Sequence, residues 1–154
     1  MELNTIVFVA VFAGLAVGLI VFLRIGSKKQ RKEREALQAQ LELEWKGGPD
    51  RVYRPVYNIA GINKHGATPR DCGYSRGWAA RDMGNKHDKN AIAIFIGDRH
   101  VGYLSREIAK ELAPRFEDRE NAVPCLLSIT TKRDESKGYY YFVGSVQLLW
   151  DGTA

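Results

Sequence analysis

Residues 91–113 read AIAIFIGDRHVGYLSREIAKELA, and the change of rhythm along this stretch decides the fold. Ala91–Ile96 is apolar on both faces, the pattern of a strand buried on both sides at the centre of a sheet. Gly97-Asp98 is a two-residue turn signal that sends the chain back into His100–Leu104, so the two runs form a hairpin. Ser105 then offers a helix N-cap. Ile108, Ala109, Leu112, Ala113 and Phe116 recur at helical rather than strand spacing, and Glu107 in the first turn complements the helix dipole.

Outward from this block, short apolar runs alternate with turn residues. Val56–Ile62 reads as a strand, and Trp78–Ala80 is a weaker candidate. Val123–Thr131 and Tyr139–Trp150 read as a final pair joined by the polar turn Lys132–Gly138. Five or six strands with one helix ahead of the last pair predict an α+β fold, a small β-barrel-like domain over residues 49–154.

The first quarter of the chain is of another kind. Behind a short tail, residues 1–4, Thr5–Leu23 is nineteen residues without a charge. As a helix that run covers roughly the hydrocarbon thickness of a bilayer, and only a helix satisfies its own backbone there. Arg24, Lys28, Lys29, Arg31, Lys32 and Arg34 follow it, while one Glu and no cation precede it. This asymmetry predicts a single-pass transmembrane helix with the N-terminus outside and the soluble domain cytoplasmic. The same cations would lie against lipid headgroups of the bilayer. Ala10, Gly14 and Gly18 share one helix face and form a candidate homodimer contact. Residues 24–48 are rich in strong helix formers and read as a charged helical linker, ended by Gly47-Gly48-Pro49.

Charge is uneven in the soluble part. Residues 51–89 hold eight Lys/Arg against three Asp, and residues 90–154 hold eight basic against nine acidic side chains. The basic bias permits an anionic partner. Two cysteines, Cys72 and Cys125, make no disulfide framework. Neither they nor His65, His87 and His100 fall into a metal-binding spacing, so no metal or cofactor is expected. Gly61–Thr68 has the glycine spacing of a phosphate loop, but Ala67 stands where the gripping lysine must be. No local nucleophile elbow is present, and the chain reads as non-catalytic.

The remaining signal is the loop before the buried strand. Asn85, Asp88 and Asn90 crowd it, and such side chains commonly bond to nearby backbone and shape a turn. This loop with its flanks resembles the HIRAN domain family. Asn85, Asp88, Asn90 and Ala91 match that family's Asn-Pro-Tyr-Asp-x-Asn-Ala loop; Val101-Gly102-Tyr103-Leu104 matches the following strand. Ile108-Ala109-x-x-Leu112-Ala113 matches its helix, which in the family is of Glu-x-Ala-x-x-Leu type. The resemblance implies an OB-like barrel with one main helix. Members fused to repair ATPases bind single-stranded DNA at its 3′ end. Carried over, Asn85, Asp88 and Asn90 would belong to the end pocket, with Asp88 as acceptor for the terminal hydroxyl. Tyr103 and Arg106 would be neighbouring contacts. This chain departs at two places: His87 stands for the stacking tyrosine and Lys86 for the loop proline. Near Gly61, Asn63-Lys64-His65 stands where the family has an Arg-aromatic pair. Imidazole still stacks on a base, and Lys64, Lys86 and Lys89 add attraction to phosphate. Two functions are therefore expected in competition. One is a membrane-tethered module for single-stranded DNA or another nucleic acid. The alternative is a protein-interaction adaptor that keeps the barrel and has lost the pocket.

Overall fold

The computed structural model describes residues 27–47, 54–117 and 122–150. The expected membrane span and the Ala10, Gly14, Gly18 face lie outside these residues. Among the described residues no helix is long and apolar enough to cross a membrane. The chain divides into two compact units, Met1–Ala39 and Gln40–Ala154.

Helix α1 covers residues 27–45. In the first unit its exposed surface carries i, i+4 ion pairs, Lys29–Glu33 at 4.0 Å and Arg31–Glu35 at 3.3 Å, each worth a few tenths of a kcal/mol, about 0.3.

In the second unit six strands form a closed antiparallel barrel in the order β1-β4-β3-β2-β5-β6. They are β1 (Tyr57–Ala60), β2 (Gly73–Arg81), β3 (Ile92–Ile96), β4 (Arg99–Leu104), β5 (Val123–Arg133) and β6 (Tyr140–Leu148). Helix α2 (Arg106–Glu117) follows β4, as the spacing from Ile108 to Phe116 predicts. Ile92, Ile94, Val101, Leu127, Ile129 and Val146 fill the interior, and Ala109, Leu112 and Phe116 of α2 belong to the same core. Truncating one of the fully buried aliphatics to Ala would cost roughly 2–5 kcal/mol.

Two elements differ from expectation. The weak Trp78–Ala80 candidate lies in the C-terminal half of the nine-residue β2. Its length was hidden because its inward positions are small. Gly73, Ser75, Gly77 and Ala79 pair with Ile129, Leu127, Cys125 and Val123 of β5, so the volume there comes from the facing strand. A Cβ on Gly77 would fall on the carbonyl oxygen of Phe95 and 2.5 Å from Leu127 Cδ1. The expected strand Val56–Ile62 is shorter, since Gly61 turns at φ 71° into a 3-10 turn, Ile62–Lys64.

The compact unit also begins ahead of the Gly-Gly-Pro break. Leu41 is buried, Trp45 meets Tyr74 at 5.9 Å, and Arg76 pairs with Glu44 at 2.6 Å. Leu126 and Gln147 are register partners, and both are buried. Gln147 Nε2 donates to the Trp45 carbonyl at 3.0 Å. The last turns of α1 thus cover one outer patch of β2, β5 and β6.

Candidate nucleic-acid interface

The β2–β3 loop is shaped by its own side chains. Asp82-Met83-Gly84-Asn85 is a β-turn closed by the Asn85 N–H to the Asp82 carbonyl at 3.1 Å, with Asp and Gly at places a turn favours. Asn85 Oδ1 accepts from the backbone of His87 at 2.9 Å and of Asp88 at 3.1 Å. Asp88 Oδ1 accepts from the Asn90 N–H at 2.9 Å. Arg81 ties the far end down, donating to the carbonyls of Lys89 at 2.5 Å and Ala113 at 3.3 Å. The loop is therefore held in place before any ligand arrives, which lowers the ordering cost of binding.

The predicted residues fall into two groups. Asn85, Asp88, Tyr103 and Arg106 are brought together. Tyr103 Oη donates to Asp82 Oδ2 at 2.8 Å, and Asn85 Nδ2 reaches the same oxygen at 3.3 Å. Arg106 Nε lies 3.9 Å from Asp88 Oδ2, its side chain mostly in water. Lys86, His87 and Lys89 stand exposed along the loop, and Lys64 is exposed on the 3-10 turn. Asn90 is half-buried and acts through its backbone.

Asp82 and His100 were missed by sequence reasoning, and His65 was met only as the counterpart of the family's Arg-aromatic pair. Asp82 orients the Tyr103 phenol. Burial, then the Asp82 hydrogen bond and charge, hold that phenol above its usual pKa, so it stays a donor. His65 and His100 flank the Tyr103 ring. His65 lies 5.3 Å from it and 4.3 Å from His100, and His100 lies 4.5 Å from it. Burial, then the charges of His100 and Lys64, lower the His65 pKa, which favours a neutral imidazole near pH 7. Only Asp82 had a local signal, its place in the turn; the histidines are neighbours through the β1–β4 pairing, with Ala60 opposite Tyr103.

The loop carrying His65 is anchored from behind. Asp71 is buried, and its carboxylate accepts from the Thr68 N–H at 2.7 Å, the Thr68 hydroxyl at 2.8 Å and Arg99 Nη1 at 2.9 Å, with a second bond from Arg99 Nη2. Arg99 also donates to the Gly66 carbonyl at 2.7 Å, and the Gly66 N–H donates to the His100 carbonyl at 2.9 Å.

The HIRAN domain model matches residues 52–139, more than half of the chain. Among solved structures, the HIRAN domain of human HLTF is similar at 17% identity with a TM-score of 0.43, covering 61% of this chain and 74% of that one. No curated protein matches the chain.

Proposed function

The chain belongs to the HIRAN domain family, and from that premise we propose that it is a non-catalytic, membrane-tethered module that holds the 3′ end of single-stranded DNA. The observation that carries this reading is the prebuilt Asn85–Asn90 loop beside Tyr103 and Arg106. In the proposed complex Arg106 takes the last phosphodiester, and Asp88 Oδ2 accepts the terminal hydroxyl. His87, on the exposed crest of the loop, and the Tyr103–His65 pair offer faces for the last base. Exposed Lys64, Lys86 and Lys89 supply salt-dependent attraction that does not depend on the end. The charge-free run Thr5–Leu23 and the cations that follow it support a bilayer tether with the barrel on the cytoplasmic side.

The test is binding of the full chain, held in detergent, to one oligonucleotide ending in either a hydroxyl or a phosphate. A 3′-phosphate brings negative charge against the Asp88 carboxylate. At an effective dielectric between that of water and a protein surface this repulsion is about 1–2 kcal/mol, or roughly tenfold in affinity. Asp88→Ala should abolish the difference while salt-dependent binding persists. Equal affinity of the wild type for both ends would sink the end-pocket reading and favour the adaptor.

A further inference from the structure

On the far side of the 3-10 turn Ile62–Lys64 lies an open groove of about 670 Å³, floored by β1 and β6. Its polar lining includes Asn58, Asn63, Lys64, Lys132, Tyr141 and Ser145. Both charged residues are lysines, and no carboxylate of the described residues lines it. Asn63, Tyr141 and Phe142 also line an adjoining groove of about 530 Å³ that reaches Tyr139 and Tyr140, so the two form one track.

The β5–β6 hairpin makes the outer wall of this track. Its register sets Lys132 opposite Tyr141 and Arg133 opposite Tyr140, and Lys137 Nζ lies 6.0 Å from the Tyr139 ring. Tyr140 is 69% exposed and Tyr139 50% exposed. Lys132 and Tyr141 thus share one face of the hairpin and Arg133 and Tyr140 the other, so each face sets a cation beside an aromatic ring, the pairing that suits phosphates and bases of a single strand. Asp134, the acid on the second groove, is occupied in closing the hairpin turn, where its Oδ1 accepts from the Ser136 N–H and hydroxyl and from the Lys137 N–H. Asn63 clamps the 3-10 turn to β6, donating to the Phe142 carbonyl at 2.8 Å and accepting its N–H at 2.6 Å. That clamp sets Lys64 on the track while the next residue, His65, sits in the Tyr103 cluster.

We propose that this track binds the internal nucleotides of the strand, with Lys64 and Lys132 on phosphates and Tyr140 and Tyr141 under bases. The placement of the strand's end rests on the end-pocket reading; the track itself does not. Lys64 and Lys132 lie inside the region matched by the family model, and Tyr140 and Tyr141 just beyond its end.

The experiment is fluorescence anisotropy of the full chain in detergent with oligothymidylates of about three and about twelve nucleotides, each ending in a 3′-hydroxyl. The double variant Lys132→Ala, Tyr140→Ala is compared with the wild type and with Asp88→Ala. Both substituted side chains are exposed, and unchanged thermal melting checks the fold. The variant should bind the longer strand at least tenfold more weakly and leave the shorter unaffected, since one stacked base contributes about 1–3 kcal/mol. Loss of one lysine–phosphate contact should also flatten the salt dependence by about 0.7 in the log–log slope. Equal affinity of variant and wild type for the longer strand overturns the track, as does a wild type that binds no strand of either length. End preference with a silent hairpin variant leaves the end pocket standing alone. A weakened longer strand without end preference leaves the track standing alone.

Discussion

Replacing Asp71 by Asn should unfasten the loop that presents Lys64 and His65, and the size of the effect can be worked out. The carboxylate is almost enclosed, with its side chain 6% exposed, whereas Arg99 is 45% exposed. The Arg99 hydrogen bond, helped by Thr68, lowers the Asp71 pKa from 3.8 to about 2 against the opposing effect of burial. A displacement of that size corresponds to about 2.5 kcal/mol at most. Water at the Arg99 end screens part of it, which leaves about 2 kcal/mol. For a domain near 100 residues this lowers Tm by roughly 8–16 °C. The sign is set by the depressed pKa. The stabilisation is present above pH 3.8 and is lost as pH falls through about 2. Thermal melts of the wild type and Asp71→Asn, followed by near-ultraviolet circular dichroism, should therefore differ at neutral pH and converge near pH 2. Equal melting at neutral pH would show that the pair contributes nothing. A gap that persists undiminished in acid would show that charge is not its origin.

Two further outcomes are expected. Ser75 Oγ is buried without a hydrogen-bond partner among the described residues, opposite Leu127 in the barrel wall. Ser75→Ala should raise stability by about 1 kcal/mol, and a fall in Tm would mean that the hydroxyl has a partner. In intact cells, protease added from outside should leave the barrel uncut if the positive flank of Thr5–Leu23 faces the cytoplasm. Digestion of the barrel would reverse the orientation.

Several elements were legible along the chain because their signals are local. The hairpin of β3 and β4, the Ser105 start of α2 and its apolar spacing all lie within 26 residues, from Ala91 to Phe116. The self-bonded loop from Asn85 to Asn90 was legible for the same reason: each of its hydrogen bonds spans two or three residues. What tertiary structure decided lies at long sequence separation. The extent of β2 could not be read from GYSRGWAAR, because its inward glycines, serine and alanine carry no apolar rhythm; Val123, Cys125, Leu127 and Ile129 supply the volume from β5. Barrel closure through β1 and β6, the Asp71–Arg99 pair and the hydrogen bond from Gln147 to the Trp45 carbonyl each join residues whose types alone name no partner. The candidate site divides in the same way. Asn85 and Asp88 are set by a turn a few residues long. The Tyr103, Asp82, His65 and His100 cluster exists only because β1 pairs with β4 and the end of β2 lies across β3 from it in a closed barrel, where strand order, not chain proximity, decides which side chains meet.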